Sequence, residues 1–553
     1  MKKRVLSLLL AGLLVASTGC GAATSSSSQS EDSGSNSSES TEETAEASSD
    51  TEETSDTSAF DGLPDKQEAG TTVAATPEMY SNVDLSKSVN INMYMVGDTP
   101  NDWEDVLAAV NEYLEPFNTT LSATFLSWSD YTTLYPLALQ GDDCDIIYTA
   151  SWCFYGSEVA KGSFHELTED FLSTYMPLTT KYQEKESWAE VMVGDKIYCI
   201  PQNMSEATWK YVVIRKDLAD KYGIGEITDW SDYMTYLETI AEKETPESGI
   251  YAYAAASENK ELWNVYREQY DYRYLVENDF LCIGFENDVD TVPTVDDIQL
   301  AYDTDIFRDF CYDMKELADA GVWSRSALTA TTTDDEAFAA LQGASSAWNS
   351  SLFTYIATAE LTDGVECAVY DLSPDVPTEV EYGTGGLAIA ECSQNKERAA
   401  MILDIMENDT YINRLLTLGI EGVHYEMVDD THYRELEKSS DYAIWCIAAS
   451  WAIKNYKLVE DGMDSRREEM EEKIEARGVA SPTRAFSFDD TQISDYTAAI
   501  KTVLTDYVPS LQLGLVSDVD ASLQEMKEKL DAAGYQIYLE ELQKQYEAWY
   551  AEQ

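Results

Sequence analysis

Basic residues are scarce in this chain of 553 residues. Lysine and arginine together number 36, against 103 aspartates and glutamates, and the formal net charge is −67. A surface of that charge repels phosphate backbones and anionic headgroups, which excludes nucleic-acid binding and docking on membranes through basic patches. Glycine and proline, at 27 and 13 residues, are too few for a collagen-like or fully disordered chain.

Histidine and regularly spaced cysteine are also lacking. The chain has three histidines, far apart in sequence, and nine cysteines that form no CxxC motif. Because zinc sites and disulfide frameworks need characteristic spacings, the sequence predicts no metal site, and we expect no cofactor. Several cysteines lie in apolar runs, where they are expected to be buried thiols.

The first 20 residues predict an exported, lipid-anchored protein. A basic head at 2–4 precedes an apolar run at 5–16, which is too short to span a membrane but typical of a signal peptide. Residues 17–20 read STGC and resemble a bacterial lipobox. We therefore predict a lipoprotein signal peptide at 1–20, with acylation of Cys20 by palmitate-type chains. The alternative is an ordinary secretory peptide with a chance cysteine.

A polar segment follows the lipobox. Residues 24–58 are almost entirely serine, threonine, glutamate and aspartate, without lysine, arginine, aromatic or large aliphatic residues. Such a segment cannot bury a core, and its charges repel each other. We predict that residues 21–86 are a disordered acidic tether that holds a globular body away from the membrane.

The body of the chain alternates strand-like and helix-like segments. Residues 89–96 alternate apolar and polar positions as a half-buried strand does, and residues 305–320 place apolar side chains on one helical face. Further strands are predicted at CDIIYTA, YVVIR, IYAYAAA, ECAVYDL and GLAIAE. This alternation predicts an α/β fold with mainly parallel sheets. Beyond residue 399 the pattern is largely helical, with a break near 477–490.

Aromatic and polar side chains occur together in loops next to predicted strands. Ligands of α/β sheets bind beyond the carboxyl ends of the strands, and aromatic faces pack against sugar rings while polar neighbours bind hydroxyls. On this basis the sequence predicts a ligand site built from Trp128, Asp130, Ser151, Trp152, Trp348 and Asn349, with Tyr155, Trp209 and Trp445 as weaker candidates. The alternative for each aromatic residue is a place in the core.

Several stretches, taken in order, resemble one protein family. They are GDDCDIIYTASW, VAKGSFHEL, DKIYCIP, GLAIAECSQNKERAAMILDIM, LGIEGVHYE and the tail from SFDD through AAGYQIYLEELQKQYEAW. Behind a lipobox and a tether, they are similar to the extracellular solute-binding lipoproteins of ABC importers, in the long branch called LipO-like. The segment SSAWNSSLFTYI resembles the place where maltodextrin-binding relatives carry a sugar-stacking tryptophan. None of these stretches is a catalytic signature.

The resemblance implies a two-lobe α/β fold of the periplasmic-binding-protein type II, with a helical C-terminal extension. Transferred by position, the first lobe takes residues 87–205 and 382–428, and the second takes 206–381 and 429–480. Residues 481–553 then form a helical module packed on the body. In such proteins the ligand is held between the lobes, binding closes them, and the closed form docks on a membrane permease.

The resemblance also implies a function without catalysis. We expect a monomeric binding protein, lipid-anchored at the outer face of the cytoplasmic membrane of a Gram-positive bacterium, that delivers an oligosaccharide to the permease subunits of an ABC transporter. The alternatives are a binding lipoprotein for a peptide or another small solute, and a secreted enzyme or adhesion module. A pair of carboxylates suited to glycoside hydrolysis is uninformative in a chain with 103 acidic residues.

Overall fold

The computed structural model describes residues 57–551, except 128–129, 208, 256, 279, 287–290, 384, 443–455 and 485. The predicted signal peptide, Cys20 and most of the predicted tether lie outside the described residues. Residues 57–553 form one compact unit. Within the described part of the chain, every helix is too short or too polar to cross a membrane.

The described residues contain strands throughout the body. These are β1 (Val89–Val96), β2 (Thr119–Leu126), β3 (Ile146–Thr149), β4 (Met192–Val193), β5 (Lys196–Ile197), β6 (Ile200–Pro201), β7 (Glu206–Ala207), β8 (Tyr211–Arg215), β9 (Tyr272–Asn278), β10 (Leu281–Glu286), β11 (Gln299–Leu300), β12 (Ser345–Trp348), β13 (Cys367–Tyr370), β14 (Thr378–Glu381), β15 (Gly386–Ile389), β16 (Tyr425–Met427), β17 (His432–Glu435), β18 (Val459–Glu460) and β19 (Gly478–Ala480).

Helices separate most of these strands and dominate the C-terminal part. They are α1 (Trp103–Tyr113), α2 (Tyr131–Gln140), α3 (Tyr155–Ala160), α4 (Glu169–Tyr175), α5 (Pro177–Tyr182), α6 (Lys185–Glu190), α7 (Lys216–Tyr222), α8 (Trp230–Lys243), α9 (Thr245–Ser248), α10 (Lys260–Glu268), α11 (Asp305–Ala320), α12 (Asp334–Ala339), α13 (Leu352–Ala359), α14 (Lys396–Asn408), α15 (Thr410–Leu418), α16 (Ser465–Glu475), α17 (Ser494–Gln512), α18 (Val519–Ala532) and α19 (Tyr535–Tyr550).

Two elements agree with their predicted bounds, and both have strong local signals. In β1 the side chains of Ile91, Met93 and Met95 are fully buried, as its period-two pattern predicts. In α11 the Thr304 hydroxyl accepts the N–H of Phe307 and caps the first turn, while Gly321, at φ 83°, ends the helix in the left-handed region. Burying one large apolar side chain of such a face stabilises the fold by about 1.5–3 kcal/mol.

The first sheet has five strands in the order β2-β1-β3-β15-β6. Strand β1 runs parallel to both β2 and β3, whereas β15 runs antiparallel to β3 and β6. Helices α1, α14 and α15 contribute buried residues to the core around this sheet. The first sheet therefore has mixed strand directions.

The prediction of mainly parallel sheets is wrong for the second sheet, which has the order β12-β8-β13. Both neighbours of β8 run antiparallel to it. They come from distant parts of the chain, so the local alternation of strands and helices does not determine their direction. The predicted strand IYAYAAA is also wrong: among its described residues, 250–255, only Tyr251 forms a bridge, with Gly343, while Ala252 and Tyr253 are buried. A short buried apolar run has the same pattern with or without a strand.

The prediction of a disordered tether to residue 86 is wrong for residues 73–83. Val73 is 1% exposed and Tyr80 is fully buried in the core of the first sheet. The hydroxyl of Tyr80 donates to Asp404 at 2.9 Å, and the N–H of Ala75 donates to Asp409 at 2.7 Å. These residues are apolar enough to be buried, unlike the serine-rich and acidic residues before them, and two buried carboxylates of the body accept their donors.

The C-terminal helices share a core with the second sheet. Helices α17, α18 and α19 bury apolar stripes together with residues of α8, α10 and α11. The predicted stripe of α18 is buried at Val519, Met526 and Leu530, and the stripe of α19 at Leu542 and Tyr546. The helical character predicted for this part of the chain is therefore confirmed.

Replacing Tyr80 with alanine tests the place of residues 73–83 in the core. Because this ring is fully buried, we expect a loss of about 3–5 kcal/mol in the free energy of unfolding. Urea-induced unfolding followed by circular dichroism measures it. The control is Phe60→Ala, at a residue that is 36% exposed, which should cost about 1 kcal/mol or less. Equal stability of the two variants would mean that residues 73–83 do not join the core.

Candidate functional site

The carboxyl ends of three parallel strands meet at one edge of the first sheet. Strands β1, β2 and β3 run in the same direction, so the loops that follow Val96, Leu126 and Thr149 lie at this edge. Because β15 runs antiparallel to β3, the segment that enters β15 at Gly386 lies there as well. This edge, here called the carboxyl edge, is where ligands of α/β sheets bind.

The loop after β3 presents an exposed tryptophan at the carboxyl edge. Trp152 is 43% exposed, and its ring centroid lies 6.0 Å from that of Tyr148. A tight turn supports it, because the N–H of Cys153 donates to the carbonyl of Ala150 at 2.9 Å and the Thr149 hydroxyl donates to the carbonyl of Cys153 at 2.9 Å. The indole of Trp152 is therefore held on a short, hydrogen-bonded loop with much of its surface towards solvent.

Two other predicted residues lie at the same edge. Ser151 is exposed, and its backbone N–H donates to the carbonyl of Gly383 at 3.0 Å. Asp130 is exposed at the start of α2, and its Oδ2 atom accepts the hydroxyl of Ser127 at 3.1 Å. The structure thus brings Asp130, Ser151 and Trp152 to one edge of the first sheet, as the loop argument predicts.

Tyr155 and Trp209 are buried and pack inside the protein. Their prediction as weaker ligand-site candidates is therefore corrected. Tyr155 is 7% exposed, and its hydroxyl donates to the carbonyl of Val191. Trp209 is 6% exposed, and its indole N–H donates to Asp371 at 2.8 Å. The guanidinium of Arg477 lies 4.5 Å from the centroid of that ring. Both polar groups are therefore satisfied inside the protein, as buried polar groups must be.

Trp348 is the last residue of a strand of the second sheet, and Asn349 directly follows it. Trp348 ends β12 and is partly buried, and the Nζ atom of Lys210 lies 4.2 Å from its ring centroid. The Oδ1 atom of Asn349 accepts the N–H of Ser351 at 3.0 Å. Lys210 therefore contacts one face of this indole by a cation–π interaction. Trp128 and Trp445 lie outside the described residues, and their role stays a prediction.

A small sheet connects the two larger ones. Its order is β19-β14-β7, with β14 antiparallel to β7 and parallel to β19. Strand β7 leads from β6 of the first sheet to β8 of the second, and β14 leads from β13 back to β15. The chain therefore leaves the first sheet and returns to it through neighbouring, hydrogen-bonded strands.

Sequence analysis missed Glu190, whose carboxylate binds this returning segment. Its Oε2 atom accepts the N–H of Tyr382 and that of Gly383, the latter at 2.9 Å. Burial raises the pKa of Glu190 to about 7, against the lowering effect of these hydrogen bonds and of Arg484. One glutamate among 103 acidic residues carries no local signal. The nearest signal is Gly386, where an added Cβ would lie 2.8 Å from the carbonyl oxygen of Ile200.

A small cavity lies beneath the carboxyl edge. Its lining joins the loop of Trp152, the end of α6 and the segment before β15: Thr149, Ala150, Ser151, Tyr155, Glu190, Val191, Cys199, Gly383, Gly385 and Gly386. The carboxylate of Glu190 and the residues before Trp152 therefore line the same cavity. The arrangement offers an aromatic face with polar neighbours, and these are the groups that bind sugar rings and their hydroxyls.

Comparison with known proteins identifies similar chains. Residues 482–551 match a family model described as a domain of unknown function, DUF3502. A carbohydrate ABC transporter substrate-binding protein of Streptococcus pneumoniae serotype 4 (strain ATCC BAA-334 / TIGR4) is 23% identical over 478 residues, which cover 83% of this chain and 90% of that protein.

The fold is similar to that of solved structures. The crystal structure of the N-glycan transport solute binding protein (NgtS) from Streptococcus pneumoniae matches with a TM-score of 0.67 at 20% identity, covering 83% of this chain and 98% of that one. The same protein in complex with Man5GlcNAc matches with a TM-score of 0.62 at 20% identity, with the same coverage of both chains.

Replacing tryptophans one at a time separates surface from core positions. Trp152→Ala should change the free energy of unfolding by about 1 kcal/mol or less, because much of its ring already faces solvent. Trp209→Ala should cost about 3–5 kcal/mol, because it empties a buried position and removes the indole N–H that donates to Asp371. Chemical denaturation of both variants measures the difference. A Trp152→Ala protein as unstable as Trp209→Ala would contradict the exposed position of Trp152.

The α/β fold is that of two-domain solute-binding proteins, and the similarity to the solute-binding proteins of ABC importers, predicted from the sequence, is confirmed.

Proposed function

We propose that this chain captures an oligosaccharide between two lobes and delivers it, chemically unchanged, to the permease of an ABC transporter. One observation carries the proposal. Trp152 is exposed at the carboxyl edge of a fold that is similar to that of a glycan transport protein, and ligands of α/β sheets bind at such an edge. The similarity extends along 83% of the chain and is not confined to one motif.

The two sheets with their separate cores support a division into two lobes. In this proposal the first lobe keeps its predicted extent of 87–205 and 382–428, and the second keeps 206–381, with 481–553 packed on the second core. The predicted place of 429–480 in the second lobe is wrong at Tyr442, which is buried in the first core and donates its hydroxyl to the carbonyl of Leu416 at 3.0 Å. The pairing of Val380 with Ala207 joins the outgoing and returning strands between the sheets. Short paired connections of this kind suit a hinge, because a few residues absorb the change in angle when two domains close.

The ligand proposal rests on the side chains at the carboxyl edge. We assign stacking on a sugar ring to Trp152, and hydrogen bonds with hydroxyls to Asp130 and Ser151. Trp348 would approach the sugar from the second lobe with the indole face that Lys210 does not cover. An aromatic contact of this kind contributes about 0.5–1.5 kcal/mol beyond the area it buries. Trp128 and Asn349 remain predicted contributors to the same site.

The cellular place of the protein is part of the proposal. A monomer anchored through acylated Cys20, on the outer face of the cytoplasmic membrane of a Gram-positive bacterium, would present its ligand to the permease subunits. The STGC motif and the acidic segment at 24–58 support this arrangement. The ligand passes through without a chemical step, so the chain acts as a binding protein and not as an enzyme.

Binding of Man5GlcNAc tests the proposed function. A ligand that binds only the folded state stabilises it by about 2.7 kcal/mol at 100 times Kd, so the melting temperature should rise measurably. Differential scanning fluorimetry with the full chain measures the rise, and mass spectrometry of the recovered glycan checks that it is unchanged. Trp152→Ala should fold normally and bind about tenfold more weakly. Stabilisation by peptides and not by any glycan of a panel, or cleavage of the glycan, would overturn the proposal.

Replacing Cys20 with serine tests the anchor. Because buried acyl chains contribute about 0.8 kcal/mol per methylene to membrane binding, the variant should leave the membrane fraction and appear in the soluble fraction. Immunoblots of fractions after a high-salt wash measure the change. Cys153→Ser, at a fully buried thiol of the body, is the matched control and should stay with the membrane. Retention of Cys20→Ser in washed membranes would show that acylation of Cys20 is not the anchor.

A further inference from the structure

Glu190 binds the chain where it returns from the second sheet to the first. It ends α6, and its Oε2 atom accepts two backbone N–H groups, those of Tyr382 and Gly383. These residues directly follow β14, whose Glu381 pairs with Glu206 of β7. The Oε2 atom of Glu190 therefore binds the backbone directly after β14, where the chain returns to the first sheet.

Gly383 is also held from its other side. Its carbonyl accepts the N–H of Ser151 at 3.0 Å, and Ser151 precedes the exposed indole of Trp152. Two hydrogen bonds thus link the carboxylate of Glu190 to Ser151, the residue before Trp152: one from the N–H of Gly383 to Oε2 of Glu190, and one from the N–H of Ser151 to the carbonyl of Gly383. If Glu190 moves, Gly383 is expected to move with it and to shift Ser151 and the loop of the proposed sugar site.

The second carboxylate oxygen of Glu190, Oε1, differs from Oε2 in its hydrogen bonding. Oε1 is buried and has no hydrogen-bond partner among the described residues. A buried anionic oxygen without a partner costs free energy, whereas a protonated carboxyl carries its hydrogen on Oε1 and still accepts both N–H groups at Oε2. The neutral form of Glu190 therefore keeps the contacts with Tyr382 and Gly383 and removes a buried charge.

The charged and titratable groups around Glu190 add to this cost. Strand β14 contributes two further carboxylates, and the burial of Glu381 raises its pKa to about 8. Arg484 favours the ionised form of Glu190, whereas Glu379 disfavours it. The titratable and charged groups that face Glu190 from the elements around it are Glu379, Glu381, Arg484, Tyr382, Tyr155 and Cys199.

We propose that Glu190 is a positioning residue that couples capture of the sugar to uptake of a proton at the returning strand. The inference rests on the proposed function. Closure of two lobes over a ligand removes water from the connection between them, and a drier surrounding favours the neutral carboxyl. The closed, ligand-bound state then holds the proton on Glu190 more tightly than the open state does, so proton and ligand bind cooperatively.

The sign of the pH dependence follows from the raised pKa. A carboxyl whose folded pKa lies near 7 instead of near 4.5 stabilises the folded state fully at pH values below the unfolded pKa. That contribution is lost as the pH rises through about 7. Affinity for the ligand follows the same direction, because binding takes up the proton, and it falls as the pH rises from 6 to 8.

Isothermal titration calorimetry of Man5GlcNAc tests the coupling. Titrations at pH 6, 7 and 8, each in two buffers of different ionisation enthalpy, give the affinity and the number of protons taken up. For the wild-type chain we expect proton uptake near pH 7 and an affinity that falls by about three- to tenfold from pH 6 to pH 8, the upper value corresponding to one pKa unit between open and closed states.

Glu190→Gln is the decisive variant. Its amide oxygen can accept the N–H groups of Tyr382 and Gly383, but it does not titrate, so affinity and proton uptake should become independent of pH. Glu186→Gln, on the exposed side of the same helix, is the matched control and should keep the wild-type profile. Urea unfolding at pH 5 and 8 checks that each variant folds, and only Glu190→Gln should show a smaller loss of stability with rising pH.

The outcomes separate this inference from the proposed function. If wild type and Glu190→Gln bind the glycan with the same pH profile, Glu190 does not couple proton and ligand, although the protein binds sugar. If the wild-type chain binds no glycan of the panel at any pH, the proposed function and the coupling both fail. A Glu186→Gln profile as flat as that of Glu190→Gln would also overturn the inference, since a general change of surface charge would then explain the effect.

Discussion

Buried carboxylates on and after α14 organise the first core. This helix is buried along nearly its whole length, and the carboxylates of Asp404 and Asp409 are fully buried with it. A buried carboxyl must be hydrogen-bonded, and each of these collects donors from distant segments. Asp404 accepts from Tyr80 and from the N–H groups of Leu178 and Thr179, and burial raises its pKa to about 7. The hydrogen bonds to Asp404 thus hold both Tyr80, which precedes the first strand, and the start of α5 against helix α14.

The same core fixes the geometry of the proposed site. Helix α14 packs on the first sheet, and the parallel direction of β1, β2 and β3 brings their following loops to one edge. Close approach of β15 to β6 requires glycine at 386, where a side chain would meet the backbone of Ile200. The loop of Trp152 then meets the segment before β15. A rigid sheet therefore presents an exposed aromatic side chain on a short loop, as binding sites commonly do.

The strands between the two sheets, β7 and β14, carry the contacts on which the proposed coupling depends. The N–H of Gly383 donates to the carboxylate of Glu190, and its carbonyl accepts the N–H of Ser151. Arg477 extends this network into the C-terminal part, because it binds Asp371 and the hydroxyl of Thr378 at the start of β14. Such charge-assisted contacts are stronger than those between neutral groups. Specific polar contacts therefore fix the connections between the sheets.

Local sequence pattern was enough to predict the strands and helices with strong periodicity. The pairing of distant segments depended on tertiary contacts. The alternation in β1 and the capped, one-sided α11 are visible in the sequence because their signals lie within a few residues. The exposure of Trp152 followed from its place after a strand. Only the folded chain decided the antiparallel second sheet, the burial of residues 73–83 and the role of Glu190. Each depends on partners far apart in sequence: Glu190 and Gly383 are separated by 193 positions. No local pattern encodes such a contact, because the free energy that selects it comes from burial and hydrogen bonding between segments that meet only in the folded state.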